Sequence, residues 1–418
     1  MDKIAFLFTG QGAQFVGMGK GLYDEFDIAR KTYEEANDIL GFNLAKLCFE
    51  GNLGELARAE NAQPALLAAS VVAYRVFMKE IGIAPDYCAG HSLGEYSALA
   101  CTGALKFSDA LKIVRKRGKL TQKIIDYDIG AMTIIDAVNK EIVEEQCKKV
   151  SDNDKYCIIN CYNSPSQVAI AGHKEAVEAI ESIMLDMDAK VTPLITSAPF
   201  HSSLMQPIVM DLEEELRKYN CNRFKYPVVS NYNALPYDNP EKVIEMLLLQ
   251  MTNPVQWQAT MRFLMDQGVT IAIEMGPQNV LCNLVNSNSQ GIEAFCYGSK
   301  EDRLSLTGFF YSDGRVKEQM PSVITRCLAA AASTPNACWD IEEYRQGVTE
   351  SYRKIQQIQD YIEREGILPS KKQMQEALNL LRTIFITKKL PYEEQNEWFN
   401  EIFDEISEHE EFADLKSV

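Results

Sequence analysis

Short, wholly apolar runs alternate along this chain with longer stretches of helical period, and that alternation predicts an α/β protein. The first run, residues 4–8, is apolar at every position, as expected of a strand buried on both faces of a parallel sheet. It leads into Thr9-Gly10-Gln11-Gly12, at the carboxyl end of that sheet, where α/β folds keep their sites. Residues 22–80 read as helices, with a break at Gln63-Pro64-Ala65 and an apolar helix over 65–78. Pro85-Asp86 then turns the chain into a second apolar run, Tyr87-Cys88-Ala89, and a helix is predicted over 95–101. Between 130 and 195 the pattern shortens: strands at 131–135, 156–162, 167–171 and 191–195, helices at 140–150 and 174–187. That order, β-α-β-β-α-β, is the ferredoxin-like unit. It reads as an insertion over 129–196, because a strand at 226–231, a helix at 241–251 and a strand at 269–274 resume the larger pattern. Such an insertion would form the second wall of a cleft beside the main sheet.

Composition changes this picture little but excludes several functions. With 418 residues, 46% apolar and 24% charged, the chain is an ordinary globular protein with room for one large domain and smaller attachments. Its net charge of −17 argues against general nucleic-acid binding, which needs basic surface to neutralise phosphates. Eleven cysteines are dispersed, and the closest pair, Cys157 and Cys161, lacks the C-x-x-C spacing of zinc or redox sites. Reduced thiols in a cytoplasm are therefore expected. The amino-terminal apolar run is too short for a signal peptide, and no run approaches the roughly 20 residues of a membrane span. The glycine-rich loop at Gly10 is neither a G-x-G-x-x-G fingerprint nor a G-K-[ST] loop, so nucleotide binding has little support.

The candidate chemistry sits at Gly90-His91-Ser92-Leu93-Gly94, between an apolar strand and a helix. A serine on so sharp a strand-to-helix turn holds its hydroxyl out in strained backbone, with flanking glycines admitting neighbouring chain closely. The same turn puts Ser92 at a helix N-terminus, where free N–H groups can meet developing negative charge. Its base is sought among four histidines, His91, His173, His201 and His409. His91 leaves the turn in another direction, His409 lies in an acidic tail, and His173 ends a strand of the insertion. His201, in Ala198-Pro199-Phe200-His201-Ser202, is the best placed, against a purely structural histidine as the alternative. No acidic partner for it is evident, and a backbone or amide carbonyl could orient the ring instead. A basic run holds Lys112, Arg115, Lys116, Arg117, Lys119 and Lys123. It reads either as a solvated helix face or as a face from which one arginine turns inward to clamp a carboxylate.

Seven stretches occur in order: GQGAQ, GHSLGEYSAL, RKRGKLTQ, NCYNSPSQVAIAG, APFHSSLM, LLLQMTNPVQW and EMGPQNVL. Together, over about residues 1–300, they resemble malonyl-CoA:acyl-carrier-protein transacylases and the acyltransferase domains of polyketide synthases. The resemblance implies an α/β-hydrolase-like core, 1–128 and 197–306, with the ferredoxin-like subdomain inserted. It implies Ser92 as nucleophile and His201 as base, with Gln250 helping to orient the imidazole in place of a triad acid. By the same matching, the backbone N–H groups of Gln11 and Leu93 form the oxyanion hole. Arg117 pairs with the malonyl carboxylate, and Phe200 is the bulky residue of malonyl-selective members. Asn160 and Asn163 fall in the matching asparagine run without an assigned role. The implied partners are malonyl-CoA and a phosphopantetheinylated acyl carrier protein, with no metal or other cofactor, no nucleic acid and no membrane.

Two alternatives stay open: a serine acyl hydrolase of the same fold would need no carboxylate clamp, and a non-catalytic scaffold would need none of these residues. The chain departs from free-standing transacylases by continuing past Leu306. Ile341, Tyr344, Val348, Tyr352, Ile355 and Ile362, then Trp398, Phe399, Ile402, Phe403 and Ile406, recur at helical spacing. They predict a helical appendage of three or four helices over 307–418, ending in an acidic stretch after Leu390.

Overall fold

The main sheet is parallel and built from the apolar runs. The structure, a computed structural model, describes residues 2–152, 154–194, 197–312, 323–365 and 369–404. Among these, the strands are β1 (Lys3–Phe8), β2 (Tyr87–Gly90), β3 (Gly130–Asp136), β4 (Cys157–Ser164), β5 (Gln167–His173), β6 (Lys190–Pro193), β7 (Val228–Val229), β8 (Val269–Met275) and β9 (Glu293–Cys296). The five-stranded sheet runs β7-β2-β1-β8-β9 with every neighbouring pair parallel. β1 lies near its centre, and Ile4 to Phe8 are all buried, because helices cover both faces of a parallel sheet. The carboxyl ends of β1 and β2 stop side by side, so the loop after β1 and the turn at Ser92 emerge together.

The inserted segment forms a separate antiparallel sheet of order β4-β5-β3-β6. Its helices Lys140–Val150 and Lys174–Asp186 contribute Val143, Cys147, Val177, Ile180 and Met184 to a core of its own. β4 is tied to the main domain through Val255, whose N–H donates to Asn160 O (2.9 Å) and whose carbonyl accepts from Tyr162 N (3.0 Å).

Three sequence expectations are corrected. The break at Pro64 is absent: one helix, Ala59–Glu80, runs through it. Proline cannot donate to the Glu60 carbonyl four residues back, and the Arg115 guanidinium donates to that carbonyl instead. The strand expected over 226–231 is only the two residues of β7. Pro227 has no N–H for a ladder, and Ser230 and Asn231 turn away, with the Asn231 side chain spent elsewhere. The boundary expected at 306/307 falls inside the helix Lys300–Ser312, where Phe310 is buried with its ring 6.4 Å from that of Phe77. The chain divides into compact units Met1–Arg315 and Val316–Val418.

The second unit is helical. Val323–Ser333, Lys371–Thr387 and Tyr392–Asp404 accompany a helix that starts at Ile341 and passes through a π-helical segment, Arg345–Thr349, into Glu350–Glu365. Val348, Ile355 and Ile362 are buried with Leu381, Ile384 and Phe385, as their spacing predicts, whereas Ile341 is 86% exposed. Lys388 is buried, its ammonium satisfied by Ala331 O and Thr334 O at the end of Val323–Ser333. Residues 405–418, including Ile406, His409 and most of the acidic stretch, lie outside the described residues. Among the described residues no helix is long and apolar enough to cross a membrane.

The helix Phe107–Asp126 meets Ala59–Glu80 at Gly118, where a Cβ would come within 2.4 Å of Ala59 O. Gly118→Ala should therefore lower stability by about 1–3 kcal/mol, overriding the ~1 kcal/mol that alanine gains in helix propensity. Urea denaturation measures this, and an unchanged or higher midpoint would mean that the helices part freely.

Candidate active site

The turn after β2 places Ser92 at φ 52° and ψ −108°, strained for a serine, with the helix Leu93–Cys101 starting at the next residue. Glycines on both sides make this possible. A Cβ at Gly90 would lie 2.0 Å from the carbonyl carbon of Gly94, and one at Gly94 would lie 1.9 Å from Phe8 O. Asn231 holds the turn from the side. Its Oδ1 accepts the Ser92 N–H (2.6 Å) and its Nδ2 donates to Gly90 O (2.6 Å).

His201 Nε2 lies 2.8 Å from Ser92 Oγ, and His201 Nδ1 lies 2.6 Å from the backbone carbonyl of Gln250. A carbonyl can only accept, so Nδ1 carries the hydrogen and the Nε2 lone pair faces the serine hydroxyl. Burial pushes the imidazole down to about 3; the Arg117 charge and His91 act in the same direction, and the Gln250 carbonyl opposes them. The ring is thus neutral at pH 7. His201 also has positive φ, 57°. Its loop is pinned by Asn160, whose Nδ2 donates to Phe200 O (2.8 Å), and by Ser202, whose hydroxyl donates to Pro199 O (2.6 Å).

Gln250 meets the histidine through its main chain. Its side-chain Nε2 donates instead to Ser92 O (2.9 Å) and to Glu95 Oε2 (2.7 Å). Gln11 lies in the loop after β1, which packs on the turn so closely that a Cβ at Gly10 would stand 2.5 Å from His91 O. The Gln11 side chain accepts from Gln63 Nε2 (3.3 Å). Leu93 opens its helix, and among the described residues neither its N–H nor that of Gln11 has a hydrogen-bond partner.

Arg117 decides between the two readings of the basic run. Lys112, Lys119 and Lys123 are exposed, and Arg115 is half-buried over Phe42. Arg117 is 1% exposed, its guanidinium carbon 5.4 Å from the Tyr96 ring centroid and 5.1 Å from that of Phe200. Nε contacts Met251 Sδ (3.3 Å), Nη2 has no hydrogen-bond partner, and among the described residues no carboxylate forms an ion pair with it. Burial holds its pKa below the ordinary arginine value. The signal was in the register, since Ala110, Val114, Arg117, Thr121 and Ile124 share the buried stripe of one helix. Phe200 is buried between Arg117 and His201, its ring 5.9 Å from the imidazole.

The remaining candidates have structural partners. His91 Nε2 pairs with Asn163 Oδ1 (2.9 Å), and His173 Nδ1 accepts the Tyr156 N–H (3.1 Å). Sequence reasoning missed Asn231, Glu95 and Tyr237. Glu95 was visible inside the serine motif, but nothing in the pattern distinguished it from a surface acid. Asn231 stands in what reads as a strand.

Residues 5–297 match the acyl transferase domain family. A malonyl CoA-acyl carrier protein transacylase of Bacillus subtilis is 38% identical over 395 residues, 94% of this chain and 99% of its own. That match reaches well into the second unit. The crystal structure of FabD from Acinetobacter baumannii aligns with a TM-score of 0.71 at 37% identity, covering 74% of this chain and 99% of that one. A malonyl-transacylase solved in complex with its type II polyketide synthase acyl-carrier protein aligns with a TM-score of 0.70 at 37% identity, covering 72% and 98%.

Removing the Asn231 side chain leaves the buried Ser92 N–H and Gly90 carbonyl without their partner. Asn231→Ala should cost about 1–3 kcal/mol for each group left unpaired. Urea denaturation against wild type checks this, and a loss below about 0.5 kcal/mol would show that other groups take over its bonds.

Proposed function

This chain belongs to the acyl transferase family, among the malonyl-CoA:acyl-carrier-protein transacylases, and on that premise we propose that Ser92 is its nucleophile and His201 its general base. The enzyme is an acyl-carrier-protein S-malonyltransferase. It moves a malonyl group from malonyl-CoA to an acyl carrier protein in fatty acid or polyketide synthesis.

In the proposed mechanism Ser92 Oγ attacks the thioester carbonyl as its proton passes to His201 Nε2, and the imidazolium is stabilised by the Gln250 carbonyl. The oxyanion is received by the N–H groups of Gln11 and Leu93. Collapse of the tetrahedral intermediate expels coenzyme A, which takes the proton from His201 and leaves malonyl-Ser92. The phosphopantetheine thiol of the carrier protein then gives its proton to His201, attacks the ester and departs malonylated. Two half-reactions at one serine imply ping-pong kinetics. The chain's own residues supply every proton transfer, so no cofactor enters the scheme. We place the reaction in the cytoplasm and assign the acyltransferase domain to 1–128 and 197–306, the inserted subdomain to 129–196 and the helical extension to 307–418.

The observation that carries this reading is the buried Arg117 guanidinium, which has no carboxylate partner. A charge withdrawn from water is costly unless paired, and the free carboxylate of a malonyl group is a partner of the right geometry. A hydrolase of simple acyl esters has no use for such a group. Pairing would also offset the Arg117 charge that helps depress His201, so binding of the correct acyl group makes the base stronger. Phe200, held between the two, limits space for an α-methyl branch. One methyl is worth only about 1–3 kcal/mol, so methylmalonyl transfer should be slow but measurable.

Ser92→Ala should abolish the malonyl adduct seen by intact mass after mixing with malonyl-CoA, and His201→Ala should slow its formation about 100-fold or more. An adduct persisting in Ser92→Ala would put the nucleophile elsewhere.

Arg117→Ala leaves the malonyl carboxylate buried and unpaired, at a cost of about 3–5 kcal/mol. Malonyl transfer should collapse while relative activity on acetyl-CoA rises. An unchanged malonyl-to-acetyl ratio would remove the clamp from the mechanism.

A further inference from the structure

Glu95 has no part in the mechanism above, yet it is fully buried in the first turn of the helix that Ser92 opens. Its Oε1 accepts from the Tyr237 hydroxyl. Its Oε2 accepts from Gln250 Nε2 (2.7 Å) and from the Asn231 N–H (3.3 Å). Two of these three donors reach the reacting pair directly. Gln250 also donates to Ser92 O (2.9 Å), and its main-chain carbonyl takes the Nδ1–H of His201 (2.6 Å). Asn231 accepts the Ser92 N–H (2.6 Å).

Three donors converging on one acceptor-only group favour the ionised form, since a protonated carboxyl would have to give up one of these bonds. We infer that Glu95 is a positioning residue for acylation: its carboxylate, acting through Gln250 and Asn231, holds the nucleophile turn and the imidazole at their 2.8 Å separation. It does from one residue away what the acid of a Ser-His-Asp triad does by direct contact. The inference rests on Ser92 and His201 being the reacting pair.

Burial pushes the Glu95 carboxyl up to about 7, against the pull of Tyr237, Gln250, the Asn231 N–H and Ser230. The groups facing it are Tyr237, Ser230 and Asn231 from the segment after β7, Gln250 from Lys242–Thr252, Tyr96 on its own helix, and the Arg117 charge from Phe107–Asp126. The ionised form is the one that positions the pair, so acylation should fall as pH drops through this range. His201 titrates well below it.

The test measures the rate of malonyl-Ser92 formation by quenched-flow intact mass on the full chain, from pH 5 to 8.5, over a range of malonyl-CoA. Glu95→Gln keeps the shape but removes the charge. The maximal acylation rate should fall about 30-fold or more with the half-saturating malonyl-CoA concentration within about 3-fold, and the acid limb should vanish. Tyr237→Phe keeps the carboxyl and deletes one donor to its charged form. Its acid limb should move up by about half a pH unit or more. A Glu95→Gln enzyme within about 3-fold of wild type and with the wild-type pH profile overturns the inference. Should Glu95→Gln not fold, a wild-type acid limb in Tyr237→Phe overturns it. Wild-type enzyme that acquires malonyl on a residue other than Ser92 overturns the Ser92 reading and this inference with it, whereas failure of the variants alone leaves that reading standing.

Discussion

A serine held at φ 52° is the constraint on which this site depends, because relaxed backbone would swing Oγ away from the imidazole. The restraint comes from several directions. β1 and β2 end side by side, glycine at 90 and 94 lets the turn close on Phe8, and Asn231 spans the turn with one bond to each side. His201 is held the same way, at positive φ by Asn160 and Ser202. Two strained residues facing each other across 2.8 Å are a pre-organised pair, with the cost of ordering already met by folding.

Burial is what gives these groups their chemistry. The same desolvation keeps His201 neutral, depresses Arg117 and raises Glu95. Each consequence is useful in a different way: a neutral imidazole can accept a proton, and an unpaired guanidinium selects an acyl group that brings its own negative charge. Placing the arginine near the base also couples selection to catalysis, since the substrate's carboxylate offsets a charge that weakens the imidazole. The inserted sheet contributes through β4, whose Asn160 fixes Phe200 and whose Asn163 pairs with His91. Insertion and core thus share one site, although each has its own hydrophobic core.

The alternation of short apolar runs and helical stretches was enough to read a parallel sheet with an inserted β-α-β-β-α-β unit, because strand and helix periods differ and burial on two faces demands unbroken apolar runs. The nucleophile turn was legible for a local reason: its glycines, serine and following helix are neighbours in the chain. His201 emerged by elimination among four histidines, and the resemblance of ordered motifs supplied the matching to Arg117, Gln250 and the oxyanion residues. What the linear pattern could not decide were the partners. Whether Arg117 faced solvent or the site depended on the packing of Phe107–Asp126 against Ala59–Glu80. That Gln250 serves the histidine with its main chain, that Pro64 lies inside a helix, and that Asn231 and Glu95 brace the turn all follow from contacts between residues 50 to 160 positions apart. Hydrogen-bond direction and desolvation are properties of the assembled neighbourhood, so they had to wait for the fold, whereas the strand, the turn and the serine were written in consecutive residues.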